Sequence, residues 1–419
     1  MNKDYVEKKL SNGIKVYFLK DDNMKRVHVS YNVNYGTHGY FDKFYYKGKS
    51  YHVEPAIAHF LEHMLIETSK RGNMLLNYMD RNYDANGVTF PEVTSYYFVA
   101  IDSMDKVKLA IKELIEMVEY PVFTEENIEK IKNAICEELK KGSDNKYQIA
   151  RSNNRHNLCV NYDAVPIANN ILGSIDSTMA ITLEQAKVCY DAYYNDENKF
   201  ILIGGAIDID EMMEYLESIF KNIPAHPNEM KEFDYSSDFN VRCEVEKLTM
   251  NTDADYVIQT FKVKNDYDLP QLKVDLYIYI YLTLKFAMST PFVEGLMKDD
   301  IITSGVSHIE DYFKGIIAIS LSYETFKPDI AMKKIKDELN LENLDREEFE
   351  LLRRTLVSDE IKRQDYIYSC LYRFPTVIDF STHLMEIDTI NSLNYDEMIE
   401  VIKKLDFSIS TTTIITKKK

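Results

Sequence analysis

The sequence has no tryptophan and little glycine, 13 residues in 419, so glycine-rich phosphate loops are not expected. Basic residues are outnumbered, with 50 Lys and Arg against 68 Asp and Glu and a formal net charge of −18 at pH 7. A field of that sign repels nucleic acid, and no Lys/Arg stripe opposes it, so no nucleic-acid partner is expected. The terminal Lys417-Lys418-Lys419 reads as a short solvated tail. The five cysteines (Cys136, Cys159, Cys189, Cys243, Cys370) are odd in number, scattered and without a CxxC pair, and read as reduced thiols rather than a disulfide frame. The first residues, MNKDYVEKKL, lack the apolar core of a signal peptide. The longest apolar stretch, near Leu276–Phe286, carries Tyr, Thr and Lys and is too short to span a bilayer. These absences together predict a soluble intracellular protein with no membrane partner, whose acidic surface or interior favours basic peptides.

What is present fits an ordinary globular chain: 45% hydrophobic and 12% aromatic residues, 31 of them Tyr. A chain of 419 residues is long enough for two or three domains, each with its own core. Ile14, Val16 and Phe18 alternate with Lys15, Tyr17 and Leu19, and Val27, Val29, Tyr31, Val33 and Tyr35 keep strict period two, predicting a half-buried strand. Pro55 is placed to open a helix in its first turn, followed by an apolar run to about Ile66. Thr94–Ile101 reads as a strand, and Met104–Tyr120 and Glu125–Lys141 as helices, the latter capped by Thr124. A short strand at Phe200–Gly205 leads into a helix beginning at Asp208–Glu211. Pro224–Phe239 is polar, has two prolines and shows no periodicity; it reads as a linker between residues 1–223 and 240–419. The second half has the same mixture of elements, with a strand at Tyr256–Val263, helices from Leu269, a strand at Gly315–Tyr323, helices at Asp345–Arg363 and Tyr395–Leu405, and a β-rich run at Phe407–Thr416. Two halves of similar size, each mixing sheet and helix, predict a duplicated α+β architecture.

The chemistry concentrates in Pro55-Ala-Ile-Ala-His59-Phe-Leu-Glu62-His63-Met-Leu-Ile66. At 100° per residue His59, Glu62 and His63 fall within roughly a 100° wedge, and the rest of the circumference is apolar. A helix that is apolar nearly all round is buried, and two imidazoles with a carboxylate inside it need a partner. Hydrogen bonds could satisfy a lone buried His. For His at i and i+4 with Glu at i+3, a divalent cation is the better partner, because both imidazoles reach one ion and the carboxylate stays beside it.

A catalytic zinc takes a third protein ligand and keeps an open position. The helix around Ile128–Leu139 offers Glu137 and Glu138. With Ile128 at zero, Ile131, Ile135 and Leu139 lie at roughly 300°, 340° and 20°, Glu138 at about 280° on the margin of that face, and Glu137 at about 180°, pointing away. The geometry selects Glu138.

HFLEH, followed by the glutamate of ICEELKKG, resembles the inverted zinc motif of the pitrilysin, insulysin and mitochondrial-processing peptidases, the inverzincins. LSNGIKVYFL, VNYG, ANGVTFPEVTSYYF, ILGS and ILIGGAID are similar to that family's pattern as well. The resemblance covers nearly all of residues 1–225, is looser from 240 onward, and is nearest to short bacterial members whose chains pair into a closed chamber. It implies two similar α+β domains, each a mainly antiparallel β-sheet packed with helices, a fold shared with LuxS-like metallohydrolases. It further implies one Zn2+ per chain on His59, His63 and Glu138, with Glu62 as the general base that activates the zinc-bound water and then protonates the leaving amine. Asn86, Gly87, Val88 and Thr89 match the edge strand to which substrates add as an extra β-strand; without the resemblance that segment reads as a turn.

Two departures stand out. Ile131 occupies the place, seven residues before the ligand, where family members often carry an outer-shell glutamate. In the second half Met297 and Ser304 occupy the places of an Arg and a Tyr that bind substrate and stabilise the transition state in complete members. The resemblance therefore implies a bacterial, cytoplasmic zinc endopeptidase subunit acting on peptides or unfolded segments, or trimming a precursor peptide. Its partner would be a homologous subunit supplying the Arg/Tyr pair, a heterodimer rather than a homodimer. The alternative is a peptide-binding or assembly subunit with a vestigial zinc site.

Overall fold

The computed structural model describes residues 6–37, 41–142, 145–158, 173–233, 239–313, 315–365 and 387–418. They fall into two compact units, one built from residues 6–141 and 173–233, the other from 145–158, 239–362 and 387–418.

The first unit is organised on six strands: β1 (Val6–Lys9), β2 (Lys15–Lys20), β3 (Val27–Val33), β6 (Asp84–Thr89), β7 (Thr94–Ala100) and β8 (Lys199–Gly205), in the order β1-β2-β8-β3-β7-β6. Only β2 and β8 run parallel. A second small sheet joins β4 (Lys43–Tyr46), β5 (Lys49–His52) and β9 (Met230–Glu232). The helices are α1 (Ile57–Glu67), α2 (Met74–Met79), α3 (Met104–Glu119), α4 (Glu125–Gly142), α6 (Ile175–Ala180), α7 (Leu183–Tyr193) and α8 (Ile209–Phe220). The core takes Val16 and Phe18 of β2, the odd-numbered residues of β3, the apolar residues of α1 and Ile128, Ile131 and Ile135 of α4.

The second unit carries β10 (Val245–Met250), β11 (Asp255–Lys264), β12 (Ser307–Phe313), β13 (Ile316–Thr325) and β14 (Ser410–Lys417), in the order β10-β14-β11-β13-β12. Around them are α5 (Lys146–Asn157), α9 (Gln271–Phe286), α10 (Pro291–Lys298), α11 (Pro328–Glu338), α12 (Arg346–Asp365) and α13 (Tyr395–Ile402). Setting β1 aside, each large sheet places its strands in the chain order first, fifth, second, fourth, third, and in each the first and fifth are the parallel pair. The α+β duplication is thus a repeat of topology as well as of element content. Each unit's third strand, β6 or β12, ends its sheet. The apolar stretch around Leu276–Phe286 is a core helix, and no single helix among the described residues is long and apolar enough to cross a membrane.

Four expectations need adjusting. β3 is buried along its whole length instead of half-buried, because its alternate residues His28, Ser30 and Asn32 are also covered. The Asn32 amide donates to Ser30 Oγ at 2.9 Å, and the His28 ring stacks on Tyr97. Pro55 does not open α1: the helix starts at Ile57, after Ala56 in the left-handed region (φ 65°). Pro55 lies outside the first turn and fixes the approach to it. The expected linker Pro224–Phe239 contains β9, paired with β4, and is tied down by the His226 N–H donating to Asp196 at 2.9 Å; residues 234–238 lie outside the described residues. Finally, α5, counted within 1–223, packs on the second sheet. Its Ile149 and Ala150 meet Ile258 and Ile415, and the Asn154 amide donates to the Ile258 carbonyl at 3.1 Å. Thr124 caps α4 as expected, accepting from Asn127 N at 3.1 Å. Cys136, Cys189 and Cys243 are free thiols, while Cys159, Cys370 and Ile171-Leu172 of the ILGS segment lie outside the described residues.

Candidate metal centre

Helix α1 forms because Ile57–Ile66 is a stretch of helix-tolerant, mostly apolar residues without Gly or Pro, and it ends where the Thr68 hydroxyl donates to the Met64 carbonyl at 2.6 Å. Gly173 helps seat its start: a Cβ there would lie 3.0 Å from Ala56 Cβ. Nine of the eleven residues of α1 are buried, among them His59 and Glu62. Helix α4 brings Glu138 to the same place, while Glu137 turns away and pairs with Lys140 at 2.7 Å.

Three donor atoms meet. His59 Nε2 and His63 Nε2 are 3.2 Å apart, and Glu138 Oε2 lies 3.8 Å from the first and 3.5 Å from the second. Bonds of about 2.0–2.2 Å around a tetrahedral zinc place its ligand atoms about 3.3–3.6 Å from one another. The observed edges of 3.2, 3.5 and 3.8 Å come within about 0.2 Å of one face of such a tetrahedron, and the imidazole rings stand nearly perpendicular at 87°. Two imidazoles and one carboxylate form a zinc-type donor set that leaves one position open. The His59 side chain is 9% exposed and that of Glu138 44%, so the triangle opens toward solvent on the α4 side.

Without metal, the three groups hold a proton. Burial lowers His59 to about 4, helped by the charge on His63. Burial acts in the same direction on His63, but hydrogen bonds to Glu138 and Glu67 outweigh it and raise that group to about 10. At pH 6, therefore, His59 is neutral and His63 protonated. Zinc needs both imidazoles unprotonated, so loading at pH 6 is expected to release close to one proton, and affinity should fall as the pH drops below the raised His63 range. Calorimetry at pH 6 in buffers of different ionisation enthalpy measures this directly; a slope near one is expected, and a slope of zero contradicts it.

Glu62 points to β6. The Thr89 hydroxyl donates to Glu62 Oε2 at 2.6 Å. Burial pushes the Glu62 carboxyl above the usual carboxylate range, partly offset by that hydrogen bond. Gly87 passes so close that a Cβ would lie 2.3 Å from Ile66 Cδ1 and 2.6 Å from Glu62 Oε1. Asn86–Thr89 is an edge strand, paired among the described residues only with β7, in place of the turn the segment suggests by itself. Asn86 is exposed, with its side-chain oxygen accepting from Gly87 N, and Val88 is half-buried. Gly87→Ala is expected to overpack the α1–β6 contact and cost about 1–3 kcal/mol. An unchanged denaturant midpoint in that variant would contradict the close approach.

Residue-type patterns missed Glu67, whose carboxylate stands 2.9 Å from His63 Nδ1. The i,i+4 spacing from His63 was the available signal. Ile131 is fully buried in the core, and Met297 (36% exposed) and Ser304 lie in the second unit. The Ser304 hydroxyl is tied to backbone, donating to the Gly305 carbonyl and accepting from Glu324 N.

A duplicated α+β fold with a buried His-x-x-Glu-His helix defines a class of metallopeptidase-like proteins, and comparison with known proteins gives the family. Residues 52–170 match the insulinase family (peptidase family M16), and residues 180–356 match the peptidase M16 inactive domain. This chain belongs to the M16 family. It is 27% identical over 363 residues, 84% of this chain and 82% of the other, to the uncharacterized zinc protease YmfH of Bacillus subtilis. It is 26% identical over 271 residues, 62% of this chain and 60% of the other, to the non-peptidase homolog YmxG of Helicobacter pylori. Among solved structures, an M16-like protein of Alicyclobacillus acidocaldarius superposes with a TM-score of 0.88 at 17% identity, covering 99% of this chain and 98% of that one. Pitrilysin superposes with a TM-score of 0.75 at 15% identity, and this chain spans 45% of its length.

Proposed function

We propose that this chain is the zinc-bearing subunit of an endopeptidase that cleaves peptides or unfolded segments, with a homologous partner completing the site. The observation that carries this reading is the His59–His63–Glu138 triangle with the buried Glu62 carboxylate on the same helix as the two histidines. A structural zinc site takes four protein ligands, whereas three ligands and an adjacent uncoordinated carboxylate suit catalysis. Zinc bound there would polarise the scissile carbonyl and a water molecule. Glu62 takes a proton from the attacking water and hands it to the departing amine, a task suited to a carboxyl raised by burial. The side of β6 away from β7, which has no strand partner among the described residues, accepts the peptide as an added strand, with Asn86–Thr89 supplying backbone groups beside the base.

Met297 offers a thioether and Ser304 a backbone-tied hydroxyl, neither a cation nor a phenol, which supports a partner subunit that brings Arg and Tyr. The three free thiols among the described residues support residence in a reducing compartment such as the cytoplasm. The non-peptidase name of one relative favours a second reading, an assembly subunit with a vestigial zinc; the retention of Glu62 favours catalysis.

The purified chain is expected to bind one zinc yet cleave an unstructured peptide slowly, and a homologous chain carrying Arg and Tyr is expected to restore cleavage. High activity from this chain alone, unchanged when Met297 and Ser304 are replaced by Ala, would overturn the split site. Zinc binding with no cleavage in any pairing would select the assembly role.

A further inference from the structure

We infer that Glu67 is the positioning residue that fixes His63 as a metal ligand. The inference rests on the metal-site reading above. Glu67 is the last residue of α1, one turn beyond His63, so its carboxylate lies beside the imidazole it follows. Glu67 Oε1 is 2.9 Å from His63 Nδ1, while Nε2 on the opposite edge of the ring faces His59 and Glu138. An imidazole can give Nε2 to a cation only when its proton sits on Nδ1, and a carboxylate accepting at Nδ1 selects that tautomer and holds the ring plane.

Glu67 is itself held. Lys130 of α4 lies 3.8 Å from Glu67 Oε2 and donates to the Glu67 carbonyl at 3.2 Å. One helix therefore supplies the ligand Glu138 and, about two turns earlier, the cation that braces Glu67. Ile131, next to Lys130, is apolar and fully buried in the core. The other imidazole is treated differently: His59 Nδ1 is buried and has no hydrogen-bond partner among the described residues. At its Nδ1 edge His63 is held by a carboxylate, whereas the Nδ1 edge of His59 meets no such group among the described residues.

The test follows zinc leaving the loaded, full-length protein into an excess of a chelating dye. Glu67→Ala is expected to lose zinc about 10- to 100-fold faster than wild type. Glu67→Gln, whose amide oxygen still accepts from Nδ1–H, should lie between the two, and Glu137→Ala, on the outer face of α4, should match wild type. The cobalt-substituted protein gives a second readout, a visible absorption band that changes in Glu67→Ala and not in Glu137→Ala. Equal release rates and equal cobalt spectra for wild type, Glu67→Gln and folded Glu67→Ala would overturn the inference. A wild-type chain that takes up no zinc would instead overturn the site reading on which it stands.

Discussion

Glu62→Gln is expected to slow peptide cleavage by about 10²- to 10⁴-fold while leaving zinc content unchanged. The glutamine side chain has nearly the same shape, and its amide oxygen can still accept the Thr89 hydroxyl that reaches Glu62 at 2.6 Å. What it loses is the capacity to take and return a proton. Because Glu62 is not one of the three converging donors His59, His63 and Glu138, metal retention separates loss of the base from loss of the site. The same substitution removes a buried carboxylate whose folded-state pKa is raised by desolvation. A raised carboxyl pKa means the ionised form is disfavoured in the folded chain, so above that pKa the charge opposes folding. The metal-free variant should therefore melt no lower than wild type at neutral pH, a small gain in stability at a functional position. Single-turnover cleavage by the zinc-loaded chain with its partner, read beside metal analysis and a melting curve, tests all of this. Full activity in the variant would remove Glu62 from the reaction.

The second large effect separates two adjacent glutamates. Glu138→Ala is expected to reduce zinc from one per chain to a small fraction, whereas Glu137→Ala should leave it at one. The two side chains differ only in helical phase: Glu138 Oε2 lies 3.5 Å from His63 Nε2, and Glu137 points outward to Lys140. Removing the carboxylate leaves two imidazoles as the sole protein ligands on an ion that favours three or four. It also withdraws a hydrogen bond that raises His63, so the metal-free site should hold its proton less tightly. Dialysis against a weak chelator followed by metal analysis of both variants decides the matter, and equal zinc in the two would mean that α4 supplies no ligand.

Much of this was legible in residue order. The HFLEH helix, the choice of Glu138 over Glu137 and the two-unit α+β plan follow from periodicity, because one burial face per helix is enough to phase the side chains. Period two failed for β3, where polar His28, Ser30 and Asn32 are covered as well as the apolar positions. Alternation reports which residues are polar; whether the polar face meets solvent depends on what lies across it. Pro55 misled because a proline favours the first helical turn and the turn just before it alike. Neither the closeness of Gly87 to Glu62 nor the seating of Gly173 on Ala56 has a local signal, since each depends on an element distant in the chain. Glu67 could have been found by applying the i,i+4 rule once more beyond His63.

The most direct test of the central claim is an anomalous-difference map from crystals of the zinc-soaked protein. One peak per chain is expected, bounded by His59 Nε2, His63 Nε2 and Glu138 Oε2 at about 2.0–2.2 Å, with Glu62 beside it and uncoordinated. A map with no peak between these three atoms, or with Glu62 itself bound to the ion, would contradict the account.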